Sequence, residues 1–76
     1  MHRYPTFSPT RLRVLRKEAG WNRPFLAHRV NLSVSTIESY ESGYRVPTAA
    51  SLGKLAAGLS CSIDELFDMP AVASVA

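Results

Sequence analysis

The fold is decided by residues 22–43, which read NRPFLAHRVNLSVSTIESYESG. Asn22 followed by Pro24 is a typical helix start, because asparagine accepts hydrogen bonds from free backbone amides and proline suits the first turn of a helix. Ser33 marks a second start, only a few residues after the first helix has to end. Asn31 precedes it and tolerates the left-handed backbone conformation that a tight turn requires. The stretch therefore predicts two short helices joined by a tight turn.

The second helix of this pair has two different sides. Ile37 and Tyr40 are three residues apart, so they share one side, and we expect them to contact the core. The opposite side carries few bulky groups. Its members are Val34, Ser35, Glu38 and Ser39. A short helix that follows a tight turn and has one anchored side and one free side is typical of a helix-turn-helix.

Three more helices are predicted around this pair. Each begins at a residue that can cap a helix and continues with apolar residues at helical spacing. The caps are Ser8, Thr48 and Ser62. Ser62 with Glu65 three residues later forms a capping-box pattern, from which we expect a short fifth helix. No segment is predicted to be a strand, so the sequence indicates an all-α fold.

The length of 76 residues allows one hydrophobic core and not a second. We predict a single domain at residues 8–68, with residues 1–7 forming an N-terminal arm. After Pro70 the sequence contains no charged residue. We expect residues 69–76 to form a tail that is flexible or that orders in a dimer.

The charges are divided unevenly along the chain. The formal net charge is +3, and the residues before position 31 include seven Lys or Arg residues but one acidic residue. This predicts a basic face, which would attract the phosphates of a nucleic acid. No apolar run approaches the ~20 residues that cross a bilayer, and the first residues lack the pattern of a secretory signal. We therefore expect a cytoplasmic protein without a membrane partner.

The sequence indicates neither a metal site nor a catalytic site. Cys61 is the only cysteine, and His2 and His28 have no partners at ligand spacing, so we predict no metal and no other cofactor. No nucleophile is paired with a base, and no glycine-rich loop could bind phosphate. We therefore do not expect an enzyme.

The stretch from about Arg11 to Asp68 resembles the phage Cro and repressor type of helix-turn-helix domain, the XRE family. The resemblance depends on short motifs in a fixed order and spacing. They are Leu12-Arg13-Val14-Leu15-Arg16, Gly20, Leu26-Ala27, Ser33 through Ile37, Tyr40-Glu41-Ser42-Gly43, Arg45, Pro47, Leu55-Ala56, Leu59 and Asp64-Glu65-Leu66-Phe67. The resemblance implies an all-α, compact five-helix bundle that contains a helix-turn-helix, which is a lambda repressor-like DNA-binding domain. It also implies dimeric binding to short, often palindromic operators.

The resemblance further implies which residues contact DNA. Base edges in the major groove would be read by Val34, Ser35, Glu38 and Ser39. Phosphates would be bound by Arg23, Ser33, Thr36, Tyr44 and Arg45. The sequence departs from the family at Arg23, where glutamine is common, and at Asn31, where glycine is common. An arginine can keep the phosphate contact through a charge-assisted hydrogen bond.

The two glutamates of this region have different interpretations. The carboxylate of Glu38 can accept a hydrogen bond from a cytosine amino group or pair with a neighbouring arginine, and both interpretations stay open. We expect Glu41 to bond backbone or an arginine instead of DNA. The sequence as a whole predicts a sequence-specific regulator of transcription, a repressor that binds double-stranded DNA as a homodimer. The alternative is an antitoxin or adaptor that uses the same bundle to bind a partner protein.

Overall fold

The structure is a computed structural model that describes residues 5–68 of the chain. Four α-helices account for most of these residues, and two very short strands lie at the two ends. In chain order the elements are β1 (Thr6–Phe7), α1 (Pro9–Glu18), α2 (Arg23–Val30), α3 (Val34–Ser42), α4 (Ala49–Leu59), a 3₁₀ turn (Ile63–Leu66) and β2 (Phe67–Asp68). Residues 1–4 of the expected arm and the expected tail at residues 69–76 lie outside the described residues.

Each α-helix begins directly after the capping residue that the sequence indicates. The side chains of Ser8, Asn22, Ser33 and Thr48 each accept a hydrogen bond from a backbone N–H in the first turn of the helix that follows. A cap of this kind stabilises a helix by about 1 kcal/mol. The four helix starts were therefore predicted at the correct residues.

The turn between α2 and α3 has the predicted conformation. Asn31 adopts a left-handed backbone conformation, with φ 58° and ψ 47°. The N–H of Leu32 then donates to the carbonyl of Ala27 at 3.0 Å, which satisfies one of the last carbonyl groups of α2. The turn therefore fixes the angle at which α3 leaves α2.

The core lies where the helices meet. The helix α3 packs against α1 and α2, and α4 packs against α2. The largest fully buried side chains are Leu12, Leu26, Ile37, Leu55 and Leu66. At the crossing of α2 and α4 a Cβ atom on Gly58 would overlap the Cγ1 atom of Val30, so the two helices approach closely there.

Two expectations about the ends of the domain are wrong. The predicted fifth helix is a 3₁₀ turn of four residues, and it does not continue because Phe67 has an extended backbone, with φ −119° and ψ 147°. The expectation of no strands is also wrong, because Thr6–Phe7 and Phe67–Asp68 form an antiparallel pair. Thr6 and Phe7, which we expected in an arm, thus pair with the end of the domain. The half of the capping box that involves Glu65 is present, since its Oε2 accepts from the N–H of Ser62 at 3.0 Å.

Candidate nucleic-acid interface

The outward side of α3 is accessible to solvent. Ser35 and Glu38 are exposed, Val34 is 37% exposed and Ser39 is half-buried. On the inward side Ile37 is completely buried, and Tyr40 is 6% exposed. The burial agrees with the two sides predicted from the sequence, and it leaves the outward side chains free to meet a ligand.

The first turn of α3 carries two hydroxyl groups that contact each other. The Oγ atom of Ser33 accepts from the N–H of Thr36 at 3.1 Å, and the two side-chain oxygens are 2.7 Å apart. Ser33 is exposed and Thr36 is half-buried. Because each hydroxyl has one hydrogen and two lone pairs, the pair can still donate one hydrogen bond to an anion such as phosphate.

The loop after α3 is held against the helix by its backbone. Gly43 ends α3 with φ 84°, and the N–H of Arg45 donates to the carbonyl of Ser39 at 3.2 Å. The N–H of Tyr44 donates to the Oγ atom of Ser42 at 3.3 Å. The side chains of Tyr44 and Arg45 are exposed, and Tyr44 is 84% exposed. The exposed phenol and guanidinium are therefore carried on a backbone that α3 positions.

A buried carboxylate joins α1, α2 and α3. Glu41, near the end of α3, is 3% exposed, and its carboxylate accepts hydrogen bonds from two arginines. Arg16 of α1 donates through Nε at 2.7 Å and through Nη2 at 3.1 Å, and Arg23 of α2 donates through Nε at 3.0 Å. The side chain of Arg23 is 44% exposed, whereas those of Arg16 and Glu41 are 7% and 2% exposed. The expected arginine bond of Glu41 is thus confirmed.

The surroundings of Glu41 keep its carboxylate ionised. Burial by itself raises the pKa of the carboxyl, but the hydrogen bonds and positive charges of Arg16 and Arg23 outweigh burial and lower the pKa below its usual value of 4.5. The carboxylate therefore carries its negative charge at neutral pH, and it contributes to stability through two charge-assisted contacts.

The burial of Arg16 was missed in the sequence. Arg16 is 6% exposed and also donates through Nη1 to the carbonyl of Trp21 at 2.8 Å. A signal was available, because Arg16 follows Leu12 by four residues and so lies on the apolar side of α1. An arginine at such a position indicates a buried partner of opposite charge.

The structure does not pair Glu38 with an arginine of the described residues. Within residues 5–68 no Lys, Arg or His nitrogen lies within 4 Å of its carboxylate.

The described part of the chain contains no group of three or more His, Cys, Asp or Glu residues that could hold a metal ion. In the same part, no helix has the length and apolar character that crossing a membrane requires.

These features define a class of protein. Two short helices meet at a tight turn, and the second presents a free side to solvent. The cations Arg23 and Arg45 both lie near the C-terminal end of that second helix, Arg23 through its bond to Glu41 and Arg45 in the loop that follows. This is the architecture of a helix-turn-helix domain. A family model described as helix-turn-helix matches residues 12–66 of the chain. The chain therefore belongs to the Cro and repressor type of helix-turn-helix family, whose members are DNA-binding regulators of transcription.

Individual proteins of known sequence or structure are similar to this chain. The HTH-type transcriptional regulator AnsR of Bacillus subtilis is 39% identical over 56 residues, which are 74% of this chain and 48% of AnsR. The chain thus spans about half the length of that relative.

Two crystal structures share the fold at higher coverage. The restriction-modification controller protein C.AhdI of Aeromonas hydrophila has a TM-score of 0.75 and 34% identity, over 78% of this chain and 89% of the other. The P22 c2 repressor, in complex with a synthetic operator, has a TM-score of 0.73 and 29% identity, over 76% and 88%. The lambda repressor-like fold predicted from the sequence is therefore confirmed, with four α-helices in place of five.

Proposed function

We propose that this protein is a transcriptional repressor that binds a short palindromic operator in double-stranded DNA as a homodimer. The observation that carries the proposal is the division of α3, in which Ile37 is completely buried while Ser35 and Glu38 are exposed. The B-DNA major groove admits one α-helix, and all four base pairs can be distinguished there. An exposed helix side of this kind fits that groove. The similarity to the P22 c2 repressor, whose structure contains a synthetic operator, supports the same function.

Base recognition belongs to the outward side of α3. We propose that Val34, Ser35, Glu38 and Ser39 face the base edges. Val34 has no hydrogen-bonding group and suits a thymine methyl, whereas the serine hydroxyls can donate to or accept from several bases. With no cation of the described chain within 4 Å, the Glu38 carboxylate is free to accept from a cytosine amino group.

Phosphate contacts would hold α3 in register on the DNA. We propose these contacts for Arg23, Ser33, Thr36, Tyr44 and Arg45, which lie on the turns and helix ends around α3. Contacts of this kind position a protein on the duplex and supply most of the salt dependence of binding. If two copies bind adjacent half-sites, their α3 helices should lie about 34–36 Å apart. A repressor of this kind would act in the cytoplasm, where we place the protein.

Selection from random duplex DNA tests the function. We expect the protein to enrich duplexes that share one sequence with two inverted half-sites. Enrichment of a single, unrepeated site would contradict the palindromic operator. No enrichment over a column without protein would contradict DNA binding and would favour the antitoxin or adaptor function.

Salt titration of variants tests the phosphate contacts. Arg45→Ala and Arg23→Ala should each weaken binding to all duplexes and lower the slope of log affinity against log salt by about one. Lys54→Ala is a matched control, because Lys54 is an exposed cation on α4. Slopes unchanged in both arginine variants would contradict the proposed contacts.

A further inference from the structure

The ion cluster around Glu41 contains one more positive charge than negative charge. Arg16 and Arg23 supply two positive charges and Glu41 supplies one negative charge. The donors of Arg16 are directed inward, since Nε and Nη2 bond Glu41 and Nη1 bonds the carbonyl of Trp21. Arg16 therefore balances the carboxylate inside the domain, and the unbalanced charge is that of Arg23.

Arg23 has donors that the cluster leaves free. A guanidinium has five N–H donors, and within residues 5–68 the side chain of Arg23 makes one hydrogen bond, from Nε to Glu41. The two terminal amino groups have no partner in that part of the chain. They form a planar edge that matches two phosphate oxygens. A side chain that is 44% exposed leaves this edge accessible from solvent.

The bond to Glu41 also restricts the orientation of this edge. A free arginine side chain loses rotamer entropy when it binds an anion, whereas one already held at Nε has lost part of that entropy before binding. Glu41 is itself fixed, because Arg16 binds both of its oxygens from α1. The orientation of Arg23 is thereby tied to the end of α3, where Glu41 lies.

We propose that Glu41 is a positioning residue for DNA docking, which holds Arg23 as a rigid two-donor clamp for one phosphate. The inference depends on the proposed function, and it adds a residue that does not itself touch DNA. It also explains why an arginine suits the first position of α2, since an amide side chain at that position could not combine an ion pair with a bidentate phosphate contact. Arg23 is then more than a positive charge near the DNA.

The first test replaces the guanidinium of Arg23 by the ammonium group of lysine, which has the same charge. Arg23→Lys keeps the positive charge but lacks the planar pair of amino groups. The matched control Arg11→Lys makes the same change at an arginine whose Nε donates to the carbonyl of Glu65. The probe is the duplex recovered by the selection, labelled with fluorescein and titrated at ~0.1 M salt. We expect Arg23→Lys to weaken binding about tenfold and Arg11→Lys to change it less than about twofold. Equal affinities of Arg23→Lys and wild type would overturn the proposal.

The second test removes the charge of Glu41. Glu41→Gln raises the net charge by one, which by itself would tighten binding to DNA. We expect weaker binding, by about threefold or more, because a neutral amide holds the guanidinium of Arg23 less firmly than the carboxylate does. In an Arg23→Gln background the same substitution should have less than a third of that effect. Tighter binding, or equal effects in both backgrounds, would overturn the proposal.

Measurements without DNA separate the two proposals. Circular dichroism would establish that each variant is folded, and the comparison of Arg23→Lys with Arg11→Lys remains decisive if Glu41→Gln unfolds. In ¹⁵N spectra of the wild type, the Nε–H signal of Arg23 should be protected from exchange with solvent, and it should exchange faster in Glu41→Gln, where the bond has lost its charge. If the wild type binds no duplex, the proposed function has failed. If the wild type binds and Arg23→Lys binds equally well, the inference alone has failed.

Discussion

Two glutamates on α3, three residues apart, have opposite surroundings. Glu38 is exposed, and no cation of the described chain lies within 4 Å of it. Glu41 is 3% exposed, and its carboxylate is bonded to two arginines. The difference shows that the two sides of α3 have different roles. The inward side stabilises the domain, and the outward side is free for recognition, so substitutions on the two sides should change different properties.

The largest expected effect is on stability, at Glu41. Glu41→Ala leaves the guanidinium of Arg16 buried without its partner, so the free energy of unfolding should fall by about 3–5 kcal/mol. A domain of this size has a total of roughly 4–11 kcal/mol, so the variant should be close to unfolding at 25 °C. Urea denaturation followed by circular dichroism measures the change.

Glu38→Ala is the matched control for this prediction. Because Glu38 is exposed, its substitution should change the free energy of unfolding by less than about 0.5 kcal/mol. Equal losses in the two variants would break the comparison between the two sides of α3.

A smaller effect is expected from acid. The pKa of Glu41 is lower in the folded protein than its usual value of 4.5, so the unfolded chain takes up a proton first as the pH falls. The stability that this carboxylate contributes is therefore complete above pH 4.5 and is lost progressively below it. We expect the free energy of unfolding to fall with decreasing pH in this range, as measured by urea denaturation between pH 6 and pH 3.

Comparison of Glu41→Gln with Glu38→Gln tests whether this pH dependence of stability comes from Glu41. The first should have a shallower dependence below pH 4.5 than the wild type, because it lacks the carboxyl with the lowered pKa. The second should keep more of the dependence of the wild type than the first. The reverse order would contradict the role given to Glu41.

The smallest effect on stability is expected on the outward side. Ser35→Ala should change the free energy of unfolding by less than about 0.5 kcal/mol, since Ser35 is exposed. The same variant should change the base preference at one operator position by about 1 kcal/mol, because it removes one hydroxyl from the groove. Repeating the DNA selection measures this, with Thr10→Ala on α1 as the control. An unchanged preference would contradict base reading by Ser35.

Much of the fold could be predicted because its signals are local. A cap such as Ser33 acts on a backbone N–H three residues away, and the turn at Asn31 depends on the conformation of one residue. The anchoring of α3 by Ile37 and Tyr40 follows from the helical repeat. These features need no knowledge of distant parts of the chain. The burial of Glu41, three residues from an exposed glutamate, does not follow from the repeat alone.

The ion cluster and the strand pair could not be predicted in the same way. Arg16 and Glu41 are 25 residues apart in sequence, and Arg23 and Glu41 are 18 residues apart. Thr6 pairs with Asp68 from the other end of the domain. Contacts of this kind depend on how the helices pack, and a two-residue strand has too few residues for an alternating pattern. The DNA contacts of individual residues remain predictions, because exposure permits a contact without specifying its partner.

The pairing of β1 with β2 has a consequence for the topology of the chain. Thr6 and Asp68 lie on adjacent strands, so the polypeptide between them nearly forms a closed ring. The N–H of Ser8 also donates to the carbonyl of Leu66 at 2.9 Å, which anchors this closure beside a completely buried side chain. In a ring the point at which the backbone is interrupted is arbitrary. The helices could therefore follow one another in a rotated order, beginning for example at the exposed Gly20, with the same neighbours in space.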